Sequence, residues 1–436
     1  MIRQLGVFRL LARCPAVDCS LSPVAQSVAA LAASPATAGC LDWFRRERNW
    51  INQQHLALCR IPAPTFFEEK RAAWMADRFH DLGWDVTTDR GGNVVATLPG
   101  CSKGPVVAVT AHLDTVLAPR TPEDIKILED GRIAGPGVAD NGAGLAGLLA
   151  LAAAWSAGPP LEDLTAAPML VANVGEEGEG NLSGMRYFCR HAAEKLRAFL
   201  VLDGPGTEHI TSRALASRRF ELTVTGPGGH SWRDAGTGNP VHALSRAVTL
   251  FDAQALLLDQ AGAPNPRSSY SFGIFEGGSS INSIPTGALA KIDLRSESPE
   301  RIDKMATLLA QALEKAVDTE NARVTGGRVA GRIVTGRIVV GQIREIGSRP
   351  SGELAEDAPL LETLRAVDAH LGIRSRLDCS STDANIPLSL GLQAVSIGAG
   401  GQGGGAHTPA EWYLPEGRDL GLRRVMLALC LLLTNG

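Results

Sequence analysis

No stretch of the sequence carries five like charges in a row, and 42 Lys and Arg against 46 Asp and Glu leave a formal net charge of −4 over 436 residues. A general binder of nucleic acid or of anionic membranes would show a basic excess or stripe, so neither is expected as a partner. No window of 18 apolar residues exists, and no segment is expected to span a membrane. The eight cysteines (Cys14, Cys19, Cys40, Cys59, Cys101, Cys189, Cys379 and Cys430) form no C-x-x-C pair and no regular ladder. That pattern sets aside a disulfide scaffold or zinc ribbon and points to reduced thiols in a cytoplasmic protein. Internal repeats are also missing.

What is present is an ordinary globular composition, 44% hydrophobic and 20% charged, in a chain too long for one ordinary domain. The first forty residues stand apart. Arg13, Pro15 and Asp18 interrupt their apolar stretch too early for a secretory signal. An Ala/Ser/Pro-rich segment follows, and 1–40 reads as a poorly ordered extension.

From Leu41 the pattern becomes regular. Residues 42–59 and 67–82 read as amphipathic helices separated by "IPAPT", whose prolines force a break. Apolar runs at 105–111, 168–174 and 198–203 read as buried strands, and "GVADNGAG" (137–144) leads into an apolar helix. Strands apolar throughout, alternating with helices, predict an α/β unit with a mainly parallel sheet covered on both faces. After Ser212 the texture changes. "RRFELTVTG" alternates apolar and polar residues, a helix follows near 239–257, and strands are expected at 269–276 and 287–295. A helix at 299–317 and a strand near 337–345 complete a β-α-β-β-α-β order, the pattern of a small α+β insert. The first texture returns near Pro350, with a helix at 357–371, a strand at 393–398 and a closing helix at 418–433. The expected division is 41–212 and 349–436 for one interrupted α/β domain and 213–348 for the insert. The stretch 322–336 is the least legible.

Chemistry gathers at the carboxyl ends of the presumed strands: His112, Glu176 with Glu177, Asp203 and His407, with Asp140 from the glycine-rich loop. Ligand sites of open α/β sheets lie at this edge. Carboxylates collected there repel one another unless cations neutralise them, and two histidines among them suit zinc better than magnesium. Asp114 lies two residues beyond His112, on the same side of an extended segment. It is placed to accept the second ring N–H of His112. Adjacent Glu176 and Glu177 cannot both point one way, so one can be ligand and the other base. The residues alone leave the order open.

The motifs "AHLDTV", "GVADNGAG", "GEEGEG", "LDG" and "GAHTPAEW", in this order and spacing over 42–430, resemble the two-zinc metallopeptidase family of peptidase T, glutamate carboxypeptidase, acetylornithine deacetylase and aminoacylase. "RPSGELAEDAPLLETL" and "SSTDANIPLSLGLQAVSIGAG" are similar to that family's return into its catalytic domain. The resemblance implies two zinc ions per chain, replaceable by cobalt or manganese. It implies Asp140 bridging both, His112 and Asp203 completing one site, Glu177 and His407 the other, and Glu176 as the catalytic base. It also makes the insert a lid and dimerisation domain of a homodimer. "GPGGHSW", "GGSSINSIP" and "KIDLRSE" would supply His230, Asn282 and Arg295 for substrate binding, with the partner's His230 helping to hold the oxyanion. One departure is plain: the family's loop usually reads Asp-x-Lys-Gly-Gly, where this chain has Asp140-Asn141-Gly142-Ala143-Gly144.

The expected activity is hydrolysis of amide bonds next to a free carboxylate, as an exopeptidase on small peptides similar to peptidase T. An N-acyl amino-acid deacylase on the same machinery is the alternative. A catalytically dead binding protein is less favoured because every ligand and the base are present. His55, His80, His191, His209, His242 and His370 read as surface or packing residues. Cys379 has no histidine base beside it in the sequence and reads as an inert thiol.

Overall fold

The structure is a computed structural model that describes residues 22–100, 104–158, 161–192, 195–260, 266–324, 328–329, 332–333 and 338–434. The apolar runs form the centre of a nine-stranded sheet, where Ala167–Asn173, Val106–His112, Leu196–Leu202 and Ala394–Ile397 lie side by side and parallel. All seven residues of Val106–His112 are buried, as a strand covered on both faces requires. Helices Gly142–Ala157 and Arg418–Thr434 pack on these strands. Every residue from Gly142 to Ala154 is buried, which explains a helix apolar all round.

The mainly parallel reading holds at the centre, and antiparallel strands join at the edges, so the sheet is mixed. Asp85–Thr88 and Val94–Thr97 form a hairpin that joins Ala167–Asn173 antiparallel. Five residues between them are too few for a parallel crossover. At the other edge, Gly352–Glu353 runs antiparallel and Arg376–Ser380 parallel to His209–Ala214. Because the central strands are parallel and in register, with His112 opposite Asn173 and Leu202 opposite Ile397, their carboxyl ends open on one edge.

The alternating segment begins a second, four-stranded antiparallel sheet ordered Ser268–Gly277, Gly287–Ser296, Ala216–Thr225, Val340–Arg349. Gly287–Ser296 buries every second residue, the signature of a sheet with one covered face. Helices Pro240–Gln260 and Pro299–Ala322 pack on each other and on the sheet, with Phe251, Leu309 and Leu313 in a core separate from that of the main sheet. The β-α-β-β-α-β order is the one read from the pattern. Within the poorly legible stretch, 325–327, 330–331 and 334–336 lie outside the described residues.

Two expectations near the start are corrected. Residues 23–40 are not an unordered extension: Pro23–Ala33 and Pro35–Arg46 are helices. Ser22 and Ser34 accept the N–H groups of Ala25 and Thr37 at 3.2 and 3.4 Å, each followed by proline at the first helical position. What reads as a linker by composition is therefore two capped helix starts. Val28, Cys40 and Leu41 are buried, and the first helix packs on Pro359–Leu371 and Arg418–Thr434. Residues 1–21 lie outside the described residues. The single helix expected over 42–59 is two, because Glu47 leaves helical geometry between Arg46 and Arg48–Cys59. Among the described residues no single helix is long and apolar enough to cross a membrane.

Candidate metal centre and active site

Asp140 ends the glycine-rich loop just before helix Gly142–Ala157. Asn141 caps that helix, its Oδ1 accepting the N–H of Gly144 at 3.1 Å. The same oxygen accepts the N–H of Gly204 at 3.2 Å, and its amide donates to the Leu202 carbonyl at 2.8 Å. One buried side chain thus ties the loop of Asp140 to the strand end that carries Asp203. Gly142 stands where the resembling family has Lys, and the structure shows why a side chain is excluded. A Cβ there would lie 2.5 Å from Cys59 Sγ and 2.9 Å from His55 Nε2. His55 is fully buried, accepting from Arg418 at 2.8 Å, so its other ring nitrogen donates to the Val138 carbonyl at 2.7 Å. Burial and the neighbouring Arg418 push its pKa well down. Of the surface or packing roles expected of it, His55 has the second, buried against the loop that carries Asp140.

His407 arrives from a distant part of the chain. A hairpin of Gln402–Gly404 with Trp412–Leu414 joins Ile133–Ala134 and Lys126–Ile127 in a small sheet, and His407 lies in its connecting loop. From the same hairpin Glu411 reaches under the loop of Asp140. Its carboxylate accepts the N–H groups of Gly137, Ala139 and Asp140 at 2.8, 2.7 and 2.9 Å.

These elements bring all five expected ligands together. His112 Nε2 stands 3.1 Å from Asp140 Oδ1, and His407 Nε2 stands 3.0 Å from Asp140 Oδ2 and 2.9 Å from Glu177 Oε1. Donor atoms of His112, Asp140 and Asp203 lie within 4.8 Å of one another, as do those of Asp140, Glu177 and His407. A third such group is His112, Glu176 and Glu177. The two adjacent glutamates diverge: Glu177 meets His407, while Glu176 Oε1 accepts from Arg349 Nη1 at 2.8 Å.

Asp114 is fully buried beside His112. The second ring nitrogen of His112 donates to the main-chain carbonyl of Asp114 at 2.9 Å, and the nearer carboxylate oxygen lies 3.5 Å away. That carboxylate also accepts the N–H groups of Glu176 and Glu177 at 3.0 and 2.9 Å and the Thr65 hydroxyl at 3.0 Å. Asp114 therefore ties the two glutamates and His112 together.

The electrostatics show carboxylates that need countercharge. Burial, and then Asp140, push Asp203 up to about 7, and burial raises Asp383 to about 6. Burial also drives Glu176 well up, against Arg349. Hydrogen bonds to Asp140 and Glu177 carry His407 to about 10. Burial opposes the charge of His112, yet Asp114 and Asp140 hold its pKa well above the usual imidazole range. Carboxylates gathered this closely are the setting in which a bound divalent cation supplies the countercharge. Imidazole nitrogens and carboxylate oxygens are the donors zinc accepts, so the residues fit the two ions the sequence implies.

The site opens into a cleft of about 370 Å³, whose lining also includes Arg219, Arg295 and Arg349. Of the three residues expected from the insert, Arg295 lines this cleft, its Nε donating to Asp293 at 2.7 Å. His230 and Asn282 come together elsewhere: His230 pairs with Ser283 across two short strands, and Ser231 donates to the Asn282 carbonyl at 2.9 Å. Both are exposed, and neither is among the described residues lining the cleft of their own chain. Sequence reasoning missed Glu411 and Arg349, although both stand inside quoted motifs, "GAHTPAEW" and "RPSG". Charged residues inside apolar or glycine-rich surroundings were the available signal.

A mixed sheet whose parallel centre carries two His–carboxylate clusters, sharing one aspartate, at its carboxyl edge is the architecture of a metal-dependent hydrolase. The profile of Peptidase family M20/M25/M40 matches residues 108–429, and the chain belongs to this family. The uncharacterized protein YqjE of Bacillus subtilis is 23% identical over 364 residues, covering 80% of this chain and 89% of that protein. Among solved structures, the aminopeptidase PepT of Bacillus cereus superposes with a TM-score of 0.65 at 19% identity, covering 88% of this chain and 98% of that one. The YXEP protein of Bacillus subtilis, described as a dinuclear metal-binding peptidase of the M20 family, gives a TM-score of 0.61 at 15% identity, with 89% and 99% covered.

Proposed function

We propose that this M20-family hydrolase is an exopeptidase acting on small peptides, with one zinc ion held by His112, Asp140 and Asp203 and a second by Asp140, Glu177 and His407. The observation that carries the reading is Asp140, whose two oxygens face two different histidines at 3.1 and 3.0 Å. A carboxylate with one oxygen in each of two ligand sets is the bridge a dinuclear centre needs. When bound, the two ions supply Lewis acidity and a water of lowered pKa.

The chain's residues supply the rest. Glu177 meets His407 while Glu176 meets Arg349, which supports Glu177 as ligand and Glu176 as base. Glu176 takes a proton from the attacking water and returns it to the leaving amide nitrogen. Arg295, which lines the cleft, pairs with the substrate's free carboxylate. His230 and Asn282 serve the cleft of a second copy, which their shared position outside their own cleft supports. In this reading 213–348 is the lid and dimerisation domain between the two parts of the catalytic domain, 41–212 and 349–436. The sheet edge Ser268–Gly277, with exposed Ile274 and Phe275, is the surface through which two copies pair. Among the described residues Cys40, Cys59, Cys189, Cys379 and Cys430 are free thiols, in keeping with a cytoplasmic enzyme.

A panel of dipeptides, tripeptides and N-acyl amino acids, assayed on zinc-, cobalt- and manganese-loaded protein, tests the reading. Release of single amino acids from free-acid peptides, faster than deacylation, is the expected result. A preference for N-acyl amino acids would replace it with the deacylase.

A further inference from the structure

We infer that Arg349 is the positioning residue for Glu176, holding the base from the junction between the two sheets; the inference rests on Glu176 being the base. Arg349 is the last residue of Val340–Arg349, paired with Ser217 of the antiparallel sheet. Three residues later Gly352 pairs with Ala214 of the main sheet. The guanidinium therefore leaves the insert where the chain crosses back to the catalytic edge.

The contact is two-ended. Nη1 donates to Glu176 Oε1 at 2.8 Å and to Ser381 Oγ at 3.2 Å, while Nη2 donates to the main-chain carbonyl of Glu176. On the other side of the same residue, Asp114 accepts the Glu176 N–H at 3.0 Å. Backbone and side chain of Glu176 are thus fixed from both flanks, and both charged side chains of the pair are only 6% exposed. A buried ion pair contributes little net stability, since desolvation offsets the attraction. What this pair does supply is orientation. It engages one oxygen of Glu176, Oε1, leaving Oε2 for a proton. A base must sit within hydrogen-bond reach of the water it serves, and a displacement near 1 Å costs roughly 10²-fold in rate.

The test is a mutant cycle of Arg349→Met and Glu176→Gln in the full-length, zinc-loaded protein, with zinc content, kcat and KM measured separately. Arg349→Met should keep both zinc ions, lower kcat by roughly 10²-fold and leave KM within about twofold. In the Glu176→Gln background the same substitution should cost nothing further, because residues acting as a unit are non-additive. A crystal structure of Arg349→Met should show the Glu176 carboxylate displaced. Equal losses in both backgrounds overturn the inference, as does a rise in KM for free-acid substrates at unchanged kcat, which would make Arg349 a substrate-binding residue. Should Arg349→Met fail to fold, Arg349→Lys enters the same cycle, keeping the charge but losing the fork. Unfolding of both variants would make Arg349 structural and overturn the inference too. An active Glu176→Gln parent would instead refute the base itself, a distinct result.

Discussion

Glu411 accepts the main-chain N–H of Asp140 at 2.9 Å from 271 residues further along the chain. With the Gly137 and Ala139 N–H groups on the same carboxylate, it sets the position of the proposed bridging ligand without touching a metal site. Partners of this kind typically account for 10–100-fold in metal affinity. Glu411→Ala should therefore weaken zinc binding by about 10- to 100-fold, measured by competition with a chelator of known affinity. Unchanged affinity would mean that the loop holds its shape unaided.

Asp140 shares itself between two ligand sets, and Asp203 belongs to one. Elemental analysis of the zinc-saturated protein should give two ions per chain for the wild type, about none for Asp140→Ala and about one for Asp203→Ala. A wild-type value near one, untouched by Asp140→Ala, would refute the dinuclear reading.

Glu176 and Glu177 should separate cleanly. Glu176→Gln keeps the shape but cannot take a proton, so it should retain zinc and lose at least about 10²-fold in kcat. Glu177→Gln should lose zinc affinity first and regain activity as zinc is raised. Exchanged behaviours would reverse the two roles.

His230 should work across the dimer. Glu176→Ala and His230→Ala homodimers should each be nearly inactive, while His230→Ala keeps its zinc. Co-expression makes about half of the dimers mixed, each with one complete site of two, so roughly a quarter of wild-type activity should return. Mixed dimers confirmed by mass but showing no activity would confine His230 to its own chain or to packing.

Much of this was legible beforehand because it depends on near neighbours. Continuous apolar runs at 105–111, 168–174 and 198–203 state that both faces of those strands are covered. The chain leaving each run then delivers His112, Glu176 with Glu177, or Asp203 to one edge. Alternation in 218–226 announced a different kind of sheet. The two helices in 23–46 escaped because Ser-Pro starts resemble linker composition, and the edge strands escaped because four residues carry little periodicity.

The sequence by itself determined which residues can bind metal, the order in which they arrive and the two textures of sheet, since these follow from spacing and side-chain chemistry. Which partner each charged group takes was decided only by the tertiary structure. Asp114 accepts the N–H groups of Glu176 and Glu177 beside the His112 ring, Arg349 selects Glu176 from 173 residues away, and Glu411 stabilises the loop of Asp140. A buried carboxylate bonds to whichever donors share its volume, and folding brings those donors from distant parts of the chain.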